Sequence, residues 1–330
     1  MKLSTHDKKI RPLVIFGPTA VGKTSLICSL FNSSIELISA DSMQMYKGAS
    51  IGTAKPTQNQ RLLFTHHLVD FLEPTLTFPS GQFVLFVNNT VKQIISRNNL
   101  PLISGGSAYY LKQYIQGPSV APKTNMNLAL ALTKQLKESD DNNKQNGPSP
   151  FRQELYCQLQ EVDPKSAKKI HINDSYRLVR AIECYRTNGI PLSAYQVSNR
   201  SYDINEMIVV GIKKERNLLY DTINKRVDKM ISMGLVDEVI SLIKLGYDKQ
   251  TPLMRGIGYQ EFLEYPLYDN HYKQDDLDKI IEKIKQHSRN YAKKQLTFFS
   301  SIDNVFWFDA NETNALKKFL IQEGYEAFLQ

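Results

Sequence analysis

Cysteine is scarce in this chain. Cys28, Cys157 and Cys184 are its only three, far apart and without a C-x-x-C pair. That excludes a disulfide framework and the usual zinc spacings, and it fits a reducing, cytoplasmic setting. Long apolar runs are missing too. No stretch of about 18 residues is apolar throughout, so no membrane span is expected. The opening MKLSTHDKKIRPLVIFG has no apolar stretch of about 7–15 residues ending at a small-residue cleavage site, so it does not read as a secretory signal. Histidines number six, and apart from His66–His67 they form no cluster. That pair has no further ligand at metal spacing and reads as structural or substrate-proximal. No Cys–His or Ser–His–Asp pattern points to a nucleophilic enzyme. Coiled-coil heptads are absent, and a monomer is expected.

What is present is the composition of a globular protein, 42% hydrophobic and 22% charged. The length suits two domains, or one domain with an insertion. The formal net charge of +8 is unevenly placed. Residues 1–200 hold 23 Lys/Arg against 13 Asp/Glu, whereas residues 201–330 hold 18 against 20. A basic first part suggests a polyanionic partner; basicity kept for solubility is the simpler alternative.

Five apolar runs read as strands: RPLVIFG (11–17), IELIS (35–39), LPLIS (100–104), EMIVVGI (206–212) and NVFWFD (304–309). Helical patterns separate them, which predicts an α/β fold: a doubly wound parallel sheet with its ligand crevice at the carboxyl ends of the strands. Between the third and fourth runs the texture changes. NLALALTKQL and FRQELYCQLQEV have helical spacing around the polar KESDDNNKQNGPSP (137–150). The expected division is a core of residues 1–117 and 176–330 with a small helical insertion over 118–175. The last third is largely helical, notably 277–299.

The first run ends in VIFGPTAVGKTS. Gly17-Pro18-Thr19-Ala20-Val21-Gly22-Lys23-Thr24 fits G-x-x-x-x-G-K-[ST]. Such a loop turns backbone amides onto phosphate oxygens at a helix N-terminus, with the lysine as a point charge and the threonine hydroxyl for magnesium. The P-loop NTPase pattern is incomplete, however. The third strand ends in Gly105-Gly106-Ser107 rather than an aspartate for metal, and no N-K-x-D is present. The first carboxylate at a strand end is Asp41, in DSMQMYKGASIGTAKP, where a simple helix N-cap is the competing reading.

Taken together, the segments GPTAVGKT (17–24), ISADSMQMYKGASIGTAKP (38–56), HHLVDFLEP (66–74), LISGGSAYYLKQYIQG (102–117), VDPKSAKKIHINDSYRLVRAIECYRTNG (162–189), RGIGYQEF (255–262) and RNYAKKQLTFF (289–299) resemble the tRNA dimethylallyltransferases, in that family's order. The resemblance implies that the loop holds the diphosphate of dimethylallyl diphosphate as a leaving group. The prenyl unit would pass to the exocyclic amine of the adenosine 3′ of a tRNA anticodon. It implies Mg2+ at Thr24, Asp41 as the acceptor of the amine proton, and Arg216 as a further diphosphate cation. It places Ser42, Met43, Gln44, Ser107, Tyr176, Arg177, Arg180, Arg255, Gly258 and Tyr259 against the tRNA, with the anticodon stem-loop held between core and insertion. Tyr176 stands where the family usually has Gln, Ser107 where it has Thr, and Gln260 where a base is common. Lys279, Lys283, Arg289, Lys293 and Lys294 form a cationic helix that either meets RNA or is a solvated face. An adenylate isopentenyltransferase, a kinase or NTPase, and a non-catalytic RNA-binding protein are the alternatives.

Overall fold

The computed structural model describes residues 10–117, 121–143, 147–195, 206–269 and 271–330. Two compact units divide the chain: Met1–Ile115 with Ser201–Gln330, and Gln116–Arg200. The first is a P-loop-type α/β unit. Its strands β1 (Leu13–Phe16), β2 (Ile35–Ser39), β3 (Thr65–His67), β4 (Leu100–Gly105), β5 (Ile208–Lys213) and β6 (Phe306–Asp309) form an all-parallel sheet in the order β3-β2-β4-β1-β5-β6. Helices α1 (Lys23–Leu30), α2 (Gln58–Leu63), α3 (Ser80–Ser96) and α4 (Ala108–Gln116) lie in the first part of the chain. The second unit holds α5 (Met126–Asp141), α6 (Pro150–Val162), α7 (Pro164–Ala167) and α8 (Ser175–Asn188). Helices α9 (Arg216–Ser232), α10 (Leu235–Lys244), α11 (Gln274–Phe299) and α12 (Thr313–Gln322) complete the first.

Alternate strand residues feed two separate cores. Val14, Phe16, Ile38, Ile103 and Val209 pack on one face of the sheet. Leu13, Ile15, Leu37, Leu102 and Val210 pack on the other. With both faces covered, strands read as continuous apolar runs, which is why five of the six were legible. The sixth, β3, is three residues, THH, at the sheet edge. It is secured by polar contacts. His67 Nε2 lies 2.8 Å from buried Glu36, whose carboxylate also accepts from Arg97 at 2.9 and 2.8 Å and from Asn99 at 3.0 Å. The Arg97 hydrogen bonds chiefly hold the Glu36 carboxyl down at about 2. His67 is thus a structural residue, and the described residues contain no group of three potential metal ligands.

The second unit is larger than the insertion expected over 118–175, because it extends to Arg200 and includes α8. That helix presents Leu178, Ala181 and Ile182 at helical spacing to Leu132 and Leu136 of α5 and Leu155 and Leu159 of α6, so it belongs to their core. Arg152 of α6 ties the three helices polarly. It bonds Asp140 at 3.2 Å, the Ile172 carbonyl at 3.0 Å and the Ser175 hydroxyl at 2.9 Å. Asp174 caps α8 by accepting the Arg177 N–H at 3.1 Å, and Gly189, at φ 69°, ends it.

Candidate functional site

The strand order assembles the site. β2, β4 and β1 are neighbours, so the segments after them, Ala40–Ser42, Gly105–Ser107 and Gly17–Gly22, meet at the carboxyl edge of the sheet. Their approach is too close for side chains. A Cβ on Gly105 would collide with the Ala40 carbonyl, and one on Gly17 would lie 2.5 Å from the Ile212 carbonyl oxygen. The Ser107 N–H donates to the Ala40 carbonyl at 2.9 Å, and the Ala40 N–H to Ser104 at 2.8 Å.

In the phosphate loop, Gly22 adopts φ 105° and Ala20 φ 61°, and α1 starts at Lys23 with no acid in its first turn. No acidic side chain of its own first turn therefore meets the N-terminal amides of α1. Lys23 Nζ donates to the Gly17 and Pro18 carbonyls, each at 2.8 Å. Burial lowers its pKa to about 7; Asp41 opposes that shift and Arg226 adds to it. Thr24 is exposed in the first turn of α1, and its hydroxyl makes no hydrogen bond among the described residues.

The arginine expected here was Arg216. It is exposed at the start of α9, where it donates to the Tyr220 hydroxyl at 3.1 Å and stacks over that ring. Arg226, on the same helix, is the arginine that reaches the loop. Its Nη1 donates to the Thr19 hydroxyl at 3.3 Å, and its charge acts on both Lys23 and Asp41. Burial pushes Arg226 below its ordinary value and Asp41 counters this. The signal lay in the helix pattern. α9 buries Leu219, Ile223, Val227 and Met230, and Arg226 stands at the edge of that stripe. A charge there needs a partner on the core side, whereas Arg216 precedes the stripe.

On the facing side, Asp41 Oδ1 accepts the Met43 N–H at 3.0 Å, so the carboxylate does cap a turn. Its other oxygen makes no hydrogen bond among the described residues. The cap and chemical readings are compatible, since the cap orients the free oxygen. Ser107 Oγ accepts the Ser42 N–H at 2.9 Å and donates to the Ser42 hydroxyl at 3.1 Å. Gln44 is occupied within its own loop, donating to Ala54 at 3.1 Å and accepting from Ser39 at 3.2 Å. Met43 packs its thioether on Gly256, where a Cβ would collide with it. Tyr291 of α11 completes this side; burial and the charge of Asp41 raise its phenol to about 12.

Two residues of RGIGYQ are internal, which corrects their assignment to RNA. Tyr259 is fully buried, and its hydroxyl donates to Glu238 at 2.8 Å. Glu238 also accepts the N–H groups of Ser50, Ile51 and Gly52 at 2.7, 2.8 and 3.0 Å. Gly258, at φ 95°, donates its N–H to buried Glu261 at 2.8 Å. These residues fix the loop that carries Gly256 beneath Met43. Arg255 is exposed, and its guanidinium bonds the Lys249 and Gln250 carbonyls at 3.2 and 2.9 Å.

In the second unit the paired arginines separate. Arg177 is 66% exposed and only loosely paired with Asp174 at 3.4 Å, beside Tyr176, which is 81% exposed. Arg180 is 17% exposed and bonds the fully buried Glu183 and the Pro122 carbonyl. It is a structural ion pair rather than a free phosphate contact. The same sorting holds on α11. Lys283 pairs with Glu264 at 2.7 Å, Lys279 with Asp276 at 3.8 Å, and Arg289 bonds Asn224 at 2.6 Å. Lys293 and Lys294 are exposed and unpaired among the described residues.

The family described as IPP transferase matches residues 44–302. A tRNA dimethylallyltransferase of Acetivibrio thermocellus is 37% identical over 311 residues, 93% of this chain and 94% of that protein. One of Natranaerobius thermophilus is 38% identical over 318 residues, 95% of this chain and 91% of that protein. The solved full-length tRNA isopentenylpyrophosphate transferase of Bacillus halodurans has a TM-score of 0.63 at 31% identity, covering 96% of this chain and 97% of that one. A eukaryotic dimethylallyltransferase shares the fold at 23% identity, with a TM-score of 0.72 over 96% of this chain and 79% of that one. By sequence along nearly its whole length, the chain belongs to the IPP transferase family, that of the tRNA dimethylallyltransferases.

Proposed function

We propose that the protein transfers the dimethylallyl group of dimethylallyl diphosphate to the exocyclic amine of the adenosine 3′-adjacent to a tRNA anticodon, releasing diphosphate. The observation that carries this reading is the convergence of Lys23, Arg226 and Asp41: two cations at a phosphate loop, facing one carboxylate across the sheet edge. A hydrolase would need a water-activating group beside the γ-phosphate and a strand-end metal aspartate; here the neighbouring strand ends in Gly105-Gly106-Ser107.

The adenine amine is a weak nucleophile, because its lone pair is delocalised into the ring. Reaction therefore depends on the leaving group and on proton removal. The amides of residues 17–24, Lys23 and Arg226 hold the diphosphate and neutralise charge that grows as the prenyl carbon–oxygen bond breaks. Thr24, whose hydroxyl makes no hydrogen bond among the described residues, would hold Mg2+ beside the diphosphate. Bound there, Mg2+ would supply further neutralisation of the diphosphate. As the amine nitrogen bonds the prenyl carbon, Asp41 takes its proton through the oxygen the Met43 cap leaves free. The adenine reaches Asp41 only when unstacked from the anticodon loop. Ser42, Met43 and Ser107 border that position, and Tyr176 and Arg177 offer a stacking face and a charge to the RNA. The protein acts as a cytoplasmic monomer.

The test is to incubate radiolabelled dimethylallyl diphosphate with tRNA, AMP or ATP. Label should appear in tRNA and depend on adenosine beside the anticodon. Label in AMP alone, or phosphate release from ATP, would overturn the reading.

A further inference from the structure

The two halves of the site, the phosphate loop and the Asp41 turn, are bridged by one side chain from a third, distant element. Gln295, on α11, is 2% exposed. Its Oε1 accepts the Thr19 N–H at 2.9 Å, and its Nε2 donates to the Gly106 carbonyl at 2.6 Å. One planar carboxamide thereby satisfies a donor from the phosphate loop and an acceptor from the β4 turn. Beyond Gly106 the link continues, because the Ser107 hydroxyl holds both the N–H and the hydroxyl of Ser42, next to Asp41. Tyr291, one turn earlier on α11, interacts with both Gln295 and Ser107; Gln295 is the residue of this helix that bonds both loops' backbones directly, a cross-brace over their open ends. A Cβ on Gly106 would lie 2.7 Å from Nε2, so the turn lacks a side chain where the amide must sit.

We infer that Gln295 is a positioning residue that sets the separation between the leaving-group cradle and the proton acceptor, without touching either substrate. The inference rests on the prenyl-transfer reading above. Its physical basis is that bond formation and bond breaking occur at one carbon held between the two loops. A misplacement of about 1 Å between reacting partners costs on the order of 10²-fold in rate. The carboxamide is also the suitable group. A carboxylate offers no donor to Gly106, an apolar side chain leaves both backbone groups unsatisfied, and asparagine is one methylene too short.

The experiment compares the parent with Gln295→Met and Gln295→Glu in the full chain. Single-turnover prenyl transfer to tRNA is measured alongside separate equilibrium affinities for dimethylallyl diphosphate and for tRNA. In Gln295→Met the rate should fall about 30–100-fold, while each affinity stays within about threefold of the parent. Gln295→Glu supplies a readout that a merely structural role would not move. Ionised, its carboxylate faces the Gly106 carbonyl; protonated, it regains a donor there. Its rate relative to the parent should therefore rise as pH falls. Rates within threefold of the parent, or affinities lost in parallel with rate, would overturn the inference, as would a pH-independent ratio for Gln295→Glu. If Gln295→Met fails to fold, the pH ratio of Gln295→Glu decides alone. A parent that transfers no prenyl group to tRNA at all would instead defeat the functional reading, and the two failures are distinct.

Discussion

The edge of the sheet and helix α8 of the second unit both carry residues that motif reading assigned to substrate, and they use them differently. At the sheet edge the proposed diphosphate cradle is built largely from backbone: loop amides, a turn fitted against a carbonyl, a helix N-terminus. Sequence prescribes such features tightly, since Gly17, Gly22 and Gly105 tolerate few alternatives. On α8 the residues expected at RNA are long cations, and a helix face does not say where their tips go. Arg177 and Arg180 are three positions apart, yet one is solvated and the other is consumed by Glu183. A glycine in a phosphate loop thus reveals its function locally, whereas an arginine reveals it only with its partner.

The comparison can be broken most severely at Asp41. Asp41→Asn keeps an oxygen to cap Met43 but loses the proton acceptor. Turnover should fall by about 10²-fold or more, with the melting temperature and tRNA affinity unchanged. A parallel loss of stability would make Asp41 only a cap. Of comparable size is the effect expected on α9. Arg226→Ala should lower turnover by about 10²–10³-fold, the range for removing one preorganised donor. Arg216→Ala should stay within about threefold of the parent, its guanidinium being engaged with Tyr220. Steady-state kinetics on both variants reverse the assignment if Arg216 proves the sensitive one.

Arg180→Ala leaves the buried Glu183 carboxylate without its cation, with the Asn125 N–H and the Thr187 hydroxyl as its remaining partners among the described residues. Denaturant melts of the full chain should register about 3–5 kcal/mol of destabilisation in the second unit. Lys23 gives a graded test through pH. Its lowered pKa means the proton is lost as pH rises through about 7, and a bound diphosphate restores it. Affinity for dimethylallyl diphosphate should weaken above that pH, by up to about tenfold per unit. Lys23→Arg should flatten this dependence, because arginine stays charged throughout. The smallest effects belong to the solvated cations. Arg177→Ala should leave the melt unchanged, weaken tRNA binding a few-fold and reduce the salt slope by about 1. Removing Lys293 and Lys294 together should act similarly, and a slope equal to the parent's would leave them as a plain solvated face.

The parts of the fold that were legible share one cause. A parallel sheet covered on both faces writes its strands as apolar runs, and IELIS was delimited to the residue. β3 was invisible because a three-residue edge strand held by Glu36 and His67 carries no periodicity. α8 was divided from its own core because 175 follows a helix-breaking Asn-Asp, which marks a turn but says nothing of which core the next helix joins. Within the proposed site, the phosphate loop announces itself by motif, whereas Asp41 stands out only by its strand-end place and the family resemblance. Arg226, which reaches the phosphate loop, carries no motif signal, and only the buried stripe of α9 points to it. Gln295 lacked any such signal, since a glutamine on a charged helix reads as solvated until both of its amide partners are seen.

The cross-brace has a consequence for how the protein comes into being. Its two bonds join positions 276 and 189 residues apart in the chain. During synthesis the phosphate loop emerges early, yet the clamp that sets its distance from the acceptor turn waits until α11 has left the ribosome. Contacts of such long sequence separation form late, after the loop-closure entropy has been met. The nascent chain can therefore fold its first strands and even bind an anion without being a competent catalyst. On the proposed reading, full rate therefore waits for α11 to dock, and a chain without α11 lacks the brace just as Gln295→Met does.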